Sequence, residues 1–209
     1  MALVEAVNVG RPRRIERAHG EITTTAIWKE PITGRVAVRG VNVDGDDQAD
    51  RSVHGGADQA VYAYAAEDTK WWEAELGRQL GPGTFGENLT VRGLDVTGAL
   101  IGERWRIGTA LLEVTAPRIP CWKLARKMED PLFIKRFSKA GRPGAYLRII
   151  EEGEIGAGDE VEIVERPTEH DITIALMNQI TLYERHRAGE LVVAPIAERW
   201  VDWAQEAAA

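Results

Sequence analysis

Short runs of β-branched and apolar residues, each closed off by glycine or proline, recur along most of this chain. Leu3–Val9, Ile22–Trp28, Gly34–Arg39, Ala60–Tyr64 and Asn88–Arg92 read as strands, and so do Glu103–Ile107, Thr109–Thr115, Ala145–Ile150 and Glu160–Val164. Proline fixes φ and glycine frees it, so such punctuation turns the chain and keeps each strand short. Several short strands of this kind predict a barrel or sandwich. Arg11–Arg14 reads as a solvated basic turn, Pro31–Gly34 as a hairpin connection and Gly153–Asp159 as a glycine-rich connection. Helical periodicity is confined to Ala66–Leu76, with Trp71, Trp72 and Leu76 as core candidates, to Trp122–Met128 and Pro131–Lys139, and to the C-terminus.

Beyond Pro167 the pattern changes. Asp171 suits the N-cap of a helix over Ile172–Tyr183, where Ile172, Leu176 and Ile180 share a face. A shorter helix is expected over Leu182–Ala188, and a third over Ile196–Glu206 after Pro195. Three short helices raise helix-turn-helix DNA binding, but Arg185, Arg187 and Arg199 are outnumbered by the acidic residues around them. The net charge of −7 also opposes a bulk electrostatic hold on nucleic acid or an anionic membrane. The expected division is a strand-rich domain over 1–168 and a three-helix docking or stabilising appendage over 169–209. No run approaches the ~20 apolar residues of a membrane span. The N-terminus lacks the pattern of a signal peptide. A single cysteine forms no internal disulfide, so a cytoplasmic setting is expected.

That cysteine lies in T-A-P-R-I-P-C-W-K-L-A-R-K-M, residues 115–128. Pro117 and Pro120 bracket Arg118 and stiffen the backbone, which places Cys121 on a corner between a strand and a helix. Arg118, Lys123, Arg126 and Lys127 surround it, and cations favour a thiolate. Two readings stand side by side: an inert, buried small hydrophobe, or a reactive thiol in a basic pocket for a small anion. Elsewhere, Asp44-Gly45-Asp46-Asp47 lacks the glutamate of a calcium loop. His54-Gly55-Gly56 is a tight turn whose histidine either reaches a pocket or does nothing. Gly81, Gly83 and Gly86 match G-x-G-x-x-G, but they follow a helix and precede a strand, the wrong order for a dinucleotide site. Asn88 opens that strand with a donor and an acceptor available. Arg142 and Arg148 are further candidate anion contacts.

Taken in order, G-D-D-Q-A-D at 45–50, H-G-G-A-D-Q-A-V at 54–61, G-T-F-G-E-N-L-T at 83–90, P-R-I-P-C-W-K-L at 117–124 and G-A-Y-L-R at 144–148 resemble the MOSC-domain family, in its stand-alone bacterial YiiM-like branch. The three C-terminal helices resemble that branch's helical add-on. The resemblance implies a mainly β, α+β fold: a closed MOSC β-barrel like the β-barrel domain of pyruvate kinase, with helices around it. It implies a molybdenum–pyranopterin (molybdopterin) cofactor whose metal is bound by Cys121. Arg51, Arg118 and Lys123 would hold the phosphate or pterin, Asn88 and Thr90 would contact the pterin, and His54 would touch the cofactor or supply a proton. The implied activity is reduction of small N-hydroxylated compounds, such as hydroxylaminopurine-type bases and amidoximes, with electrons from an external flavoprotein. Two rivals remain: a sulfur carrier with a persulfide on Cys121, and a non-catalytic cofactor-binding module. The oligomeric state stays open, a homodimer included.

Overall fold

A computed structural model describes residues 1–17, 20–48 and 55–208, so Arg51 and His54 lie outside the described residues. The first half of the chain holds strands β1 (Leu3–Val9), β2 (Arg13–Glu16), β3 (Ile22–Thr25), β4 (Glu30–Pro31), β5 (Arg35–Arg39), β6 (Asn42–Val43) and β7 (Val61–Ala65), then helix α1 (Ala66–Leu76) and strand β8 (Leu89–Arg92). There follow β9 (Arg104–Ile107), β10 (Ala110–Pro117), helices α2 (Trp122–Met128) and α3 (Phe133–Ala140), then β11 (Ala145–Glu151), β12 (Gly153–Gly156) and β13 (Val161–Glu165). Helices α4 (Ile174–Tyr183) and α5 (Glu198–Ala208) flank a 3-10 helix at Arg185–Val193. No described helix is long and apolar enough to cross a membrane.

The main sheet has eight strands in the order β13-β9-β10-β11-β7-β8-β1-β4. Only β7 and β8 pair in parallel, with α1 as their crossover; the other described pairs are antiparallel. The expected closed barrel is not formed. Closure needs the two edge strands to pair along their length. One edge, β4, is two residues long and ends in Pro31, which has no N–H to donate. The other, β13, pairs with β9, and β5 leaves for a separate sheet with β6 and β12. An isolated bridge between Leu3 and Glu160 is where the start of β1 meets the approach to β13.

Two segments read as connections are strands. Arg13–Glu16 pairs with Ile22–Thr25, and Arg13 lies over the Trp28 ring at 3.5 Å, which gives a basic residue an apolar neighbour. Gly153–Gly156 pairs with β5. A Cβ on Gly153 would sit 2.5 Å from the backbone of Thr109 and Ala110, so glycine there reflects close strand approach.

The helix α4 begins at Ile174, capped by Thr173, whose hydroxyl accepts from the Leu176 N–H at 3.0 Å. Asp171 is not the cap because tertiary bonds hold the preceding backbone extended: Ile101 N–H donates to Ile172 O, and Thr173 bridges Leu100. The middle C-terminal helix is a 3-10 helix, later than expected, and α5 starts two residues after the position read from Pro195. Ile174, Met177, Ile180 and Leu191 join the same buried cluster as Trp105, Leu112 and Leu147 of the sheet.

A second, aromatic core lies between β7 and helices α1–α3. Trp72, Tyr64, Phe85, Phe133 and Phe137 are each at most 2% exposed. Tyr64 stacks on Phe85 at 4.4 Å, and the Trp72 indole donates to the Tyr64 hydroxyl at 3.0 Å. Each such ring contributes about 1.5–3 kcal/mol by burial. Leu124 and Met128 of α2 belong to this core, so the aromatic cluster anchors the helix that follows Cys121.

Candidate functional site

Strand β10 runs in extended geometry to Pro117, and α2 starts at Trp122. Between them Cys121 takes the N-cap position with φ −124° and ψ 169°. The strand–corner–helix expected from the prolines is therefore formed. Cys121 is partly exposed and lines an open cleft of about 120 Å³. Segments far apart in sequence build the other walls: Thr25–Lys29, Asp46–Gln48 and Gly86–Asn88. The cleft brings together Asn88, Arg118, Cys121 and Lys123. It does not include Thr90, which is buried in β8, accepts from Asn8 Nδ2 at 3.1 Å and donates to Glu87 at 3.0 Å.

Arg118 is 6% exposed and Lys123 7% exposed. Arg118 donates to the Phe85 carbonyl and lies 5.0 Å from the Tyr62 ring centroid; it also interacts electrostatically with Cys121. Lys123 donates to Thr24 O at 3.3 Å. Neither has a carboxylate within ion-pair distance among the described residues. A buried cation without a paired carboxylate is costly, and an anion entering the cleft would relieve that cost.

Other charges at the cleft have closer partners. Lys29 pairs with Asp46; burial lowers its pKa and Asp46 opposes the shift. Asp46 also accepts from Gly10 N–H and from Asn88 Nδ2, both at 2.8 Å. The other end of the Asn88 amide accepts from Tyr62 N–H at 3.1 Å, so Asn88 faces the cleft while tying β1, β7 and β8 together. Beneath the cleft Glu87 is 1% exposed. It accepts from Gly83 N–H at 2.6 Å and Phe85 N–H at 2.9 Å, while burial raises its pKa. Gly86, with φ +77°, lets this loop press against Ile27, whose side chain a Cβ would meet at 2.7 Å. Lys127, named in the sequence only as one of four cations, donates to the Ile27 and Gly83 carbonyls.

Lys29, Asp46 as an ion-pair partner, Glu87, Tyr62 and Tyr146 escaped sequence reasoning as parts of this site. Glu87 stands inside a quoted motif, but nothing local distinguishes a buried carboxylate from a solvated one. Lys29 sits in W-K-E-P, with no pattern around it.

Lys127 gives a pH prediction. Burial lowers its pKa to about 8, against a weaker upward pull from Glu87. Between pH 8 and 10 the unfolded chain holds more protons on this lysine than the folded chain, so stability rises with pH, by about 2 kcal/mol at most. Above pH 10 the buried tyrosines Tyr62, Tyr64 and Tyr146, whose pKa values burial raises, act in the opposite direction. Buried Lys29, whose pKa is also lowered, adds to the rise; urea unfolding across pH 7.5–10 should show it, and Lys127→Met should reduce its slope. An equal slope in the variant would exclude Lys127 as its source.

The sequence matches the family described as MOSC domain over residues 50–162. It is 37% identical to the uncharacterized protein YflK of Bacillus subtilis over 87% of this chain and 81% of that protein. It is 36% identical, over 71% of this chain, to a protein of Gibberella moniliformis named reductase, of which the match spans 27%. The crystal structure of YiiM from Geobacillus stearothermophilus superposes with a TM-score of 0.83 at 32% identity, over all of both chains. Family match, relatives and fold agree, and the chain belongs to the MOSC-domain family.

Proposed function

We propose that the chain holds a molybdenum–pyranopterin cofactor in the Cys121 cleft and reduces N-hydroxylated compounds to amines with electrons from a separate flavoprotein. The observation that carries this reading is the pair of buried cations, Arg118 and Lys123, lying without carboxylate partners among the described residues, beside a thiol in one open cleft. The donor set fits the group: a soft sulfur ligand for the metal, and guanidinium and ammonium donors for a phosphate. Membership of the MOSC family and the reductase name of a relative support it further.

When bound, the molybdenum centre supplies two-electron chemistry at the N–O bond. That bond breaks, two electrons and two protons enter, and amine and water leave. The chain's own residues orient and shield. Cys121 offers its sulfur from a corner that the prolines and the aromatic core make rigid. Arg118 and Lys123 hold the anionic end. Tyr146 also faces the cleft, and burial raises its pKa, which keeps its hydroxyl protonated at neutral pH as a hydrogen-bond donor.

Molybdenum and pterin content of the protein made in a cofactor-competent host tests the reading, with about one of each per chain expected. A chemically reduced sample should convert an N-hydroxylated base to its amine in a single turnover. NADH alone should drive no cycling, because the one glycine fingerprint lies between α1 and β8 and one cysteine cannot build a four-cysteine iron–sulfur cluster. Adding a flavin reductase should restore cycling. Protein that carries sulfane sulfur on Cys121 and no metal would replace this reading with the sulfur carrier.

A further inference from the structure

Beside the Cys121 cleft lies a second cavity of about 350 Å³. Such a volume suits a small organic molecule, since ligand sites run from ~300 to 1,000 Å³. Gln59, Ile119 and Tyr146 line both cavities, so the two share a wall. The far side comes from α5, through Arg199, Trp200 and Trp203. The two indoles meet edge to face, with centroids 5.7 Å apart. Cations sit near both rings: Arg199 lies 5.8 Å from the Trp200 centroid and Arg185 5.6 Å from that of Trp203. The Trp200 Nε1 atom is sealed from solvent and does not open into the cavity, so the ring faces carry its contacts there. The helix is fixed on the sheet: Arg148 of β11 donates to Pro195 O at 3.1 Å, and Ala204 is fully buried.

We infer that α5 is the specificity wall of the substrate site, its Trp200–Trp203 pair taking the planar ring of a heteroaromatic N-hydroxylated compound while the N–OH end reaches the Cys121 cleft. Indole faces stack on flat π-systems, which an aliphatic substrate does not offer. The C-terminal segment, expected from sequence to be a docking or stabilising appendage, thereby becomes part of the substrate pocket. This inference rests on the reading of the Cys121 cleft as the redox site, and the test separates the two.

Adenine, the amine product of 6-hydroxylaminopurine, is titrated calorimetrically into the full-length protein, with acetamidine, the product of acetamidoxime, in parallel. Adenine should bind the parent protein, and Trp203→Ala and Trp200→Ala should each weaken it at least tenfold more than they weaken acetamidine. Trp200→Phe, which keeps a smaller stacking face, should fall between. Thermal melts check that the variants fold. In turnover, the ratio of kcat/KM for 6-hydroxylaminopurine to that for acetamidoxime should drop at least tenfold in the alanine variants, through KM. Adenine that fails to bind the parent protein, or binds folded Trp200 and Trp203 variants equally well, overturns the inference even if acetamidoxime is reduced. Tryptophan-dependent adenine binding without reduction of either compound upholds the slot and defeats the redox reading.

Discussion

Cys121→Ser should fold as well as the parent protein and emerge nearly empty of molybdenum, with metal content down ~100-fold or more. The fold should survive for a local reason. Cys121 occupies the N-cap of α2 and makes no side-chain cap hydrogen bond there. Serine is among the preferred N-cap residues, so the substitution adds a cap where none existed. The Leu124 N–H to Cys121 O bond, 2.9 Å long, uses backbone only and is indifferent to the change. The metal should go because a serine hydroxyl stays protonated at neutral pH, whereas a soft metal centre is held by a deprotonated sulfur. Elemental analysis per mole of protein reads the metal, and far-ultraviolet circular dichroism through a thermal melt reads the fold. Parent-like molybdenum in the folded variant would remove Cys121 from the metal's ligands. A variant that fails to fold would return Cys121 to a packing role.

Arg118→Met should move stability and cofactor affinity in opposite directions. A charge-assisted contact to a phosphate is worth ~1.5–3 kcal/mol, so cofactor retention should fall ~10–100-fold. The cofactor-free protein should become at least as stable as its parent, by up to about 2 kcal/mol, because the variant no longer buries a cation that has the Phe85 carbonyl, the Tyr62 ring and Cys121 beside it but no carboxylate among the described residues. Methionine nearly preserves the volume and can lie on the same ring. Equilibrium dialysis of the pterin and chemical denaturation of the cofactor-free form measure the two effects. A variant that is strongly destabilised and keeps its cofactor would make Arg118 a structural residue. A raised substrate KM with normal cofactor retention would move it into the substrate site.

Much of the local structure was legible. Leu3–Val9, Ala66–Leu76 and Trp122–Met128 form with the expected bounds. Their periodicity, and the prolines and glycines around them, act over a few residues only. The corner at Cys121 was legible for the same reason, since two prolines restrict the backbone on either side of Arg118. The glycine loop at 81–86 lies between a helix and a strand, in the order read from the sequence.

Where local rules compete with distant partners, the reading failed. Gly153–Gly156 looks like a turn, yet β5 recruits it as a strand more than a hundred residues away. Asp171 is a good cap by type, yet the 99–101 backbone holds its neighbours extended, and Thr173 caps instead. Sheet closure turns on whether two edges meet, which no single segment encodes, and a two-residue β4 ending in proline leaves the sheet open.

The chain's residue order alone determined the strand-rich character, the first helices, the family and the cysteine corner, because φ/ψ limits and hydrophobic period are properties of neighbours. Only the tertiary structure decided which charges are compensated. Burial and pairing depend on groups far apart in the chain: Lys29 on Asp46, Glu87 beneath Lys127, and Arg118 and Lys123 on no carboxylate among the described residues. It also decided that α5, the last helix, reaches a cavity sharing a wall with the cleft of Cys121, an arrangement set by packing of the C-terminal helices on the sheet and by the Arg148–Pro195 contact.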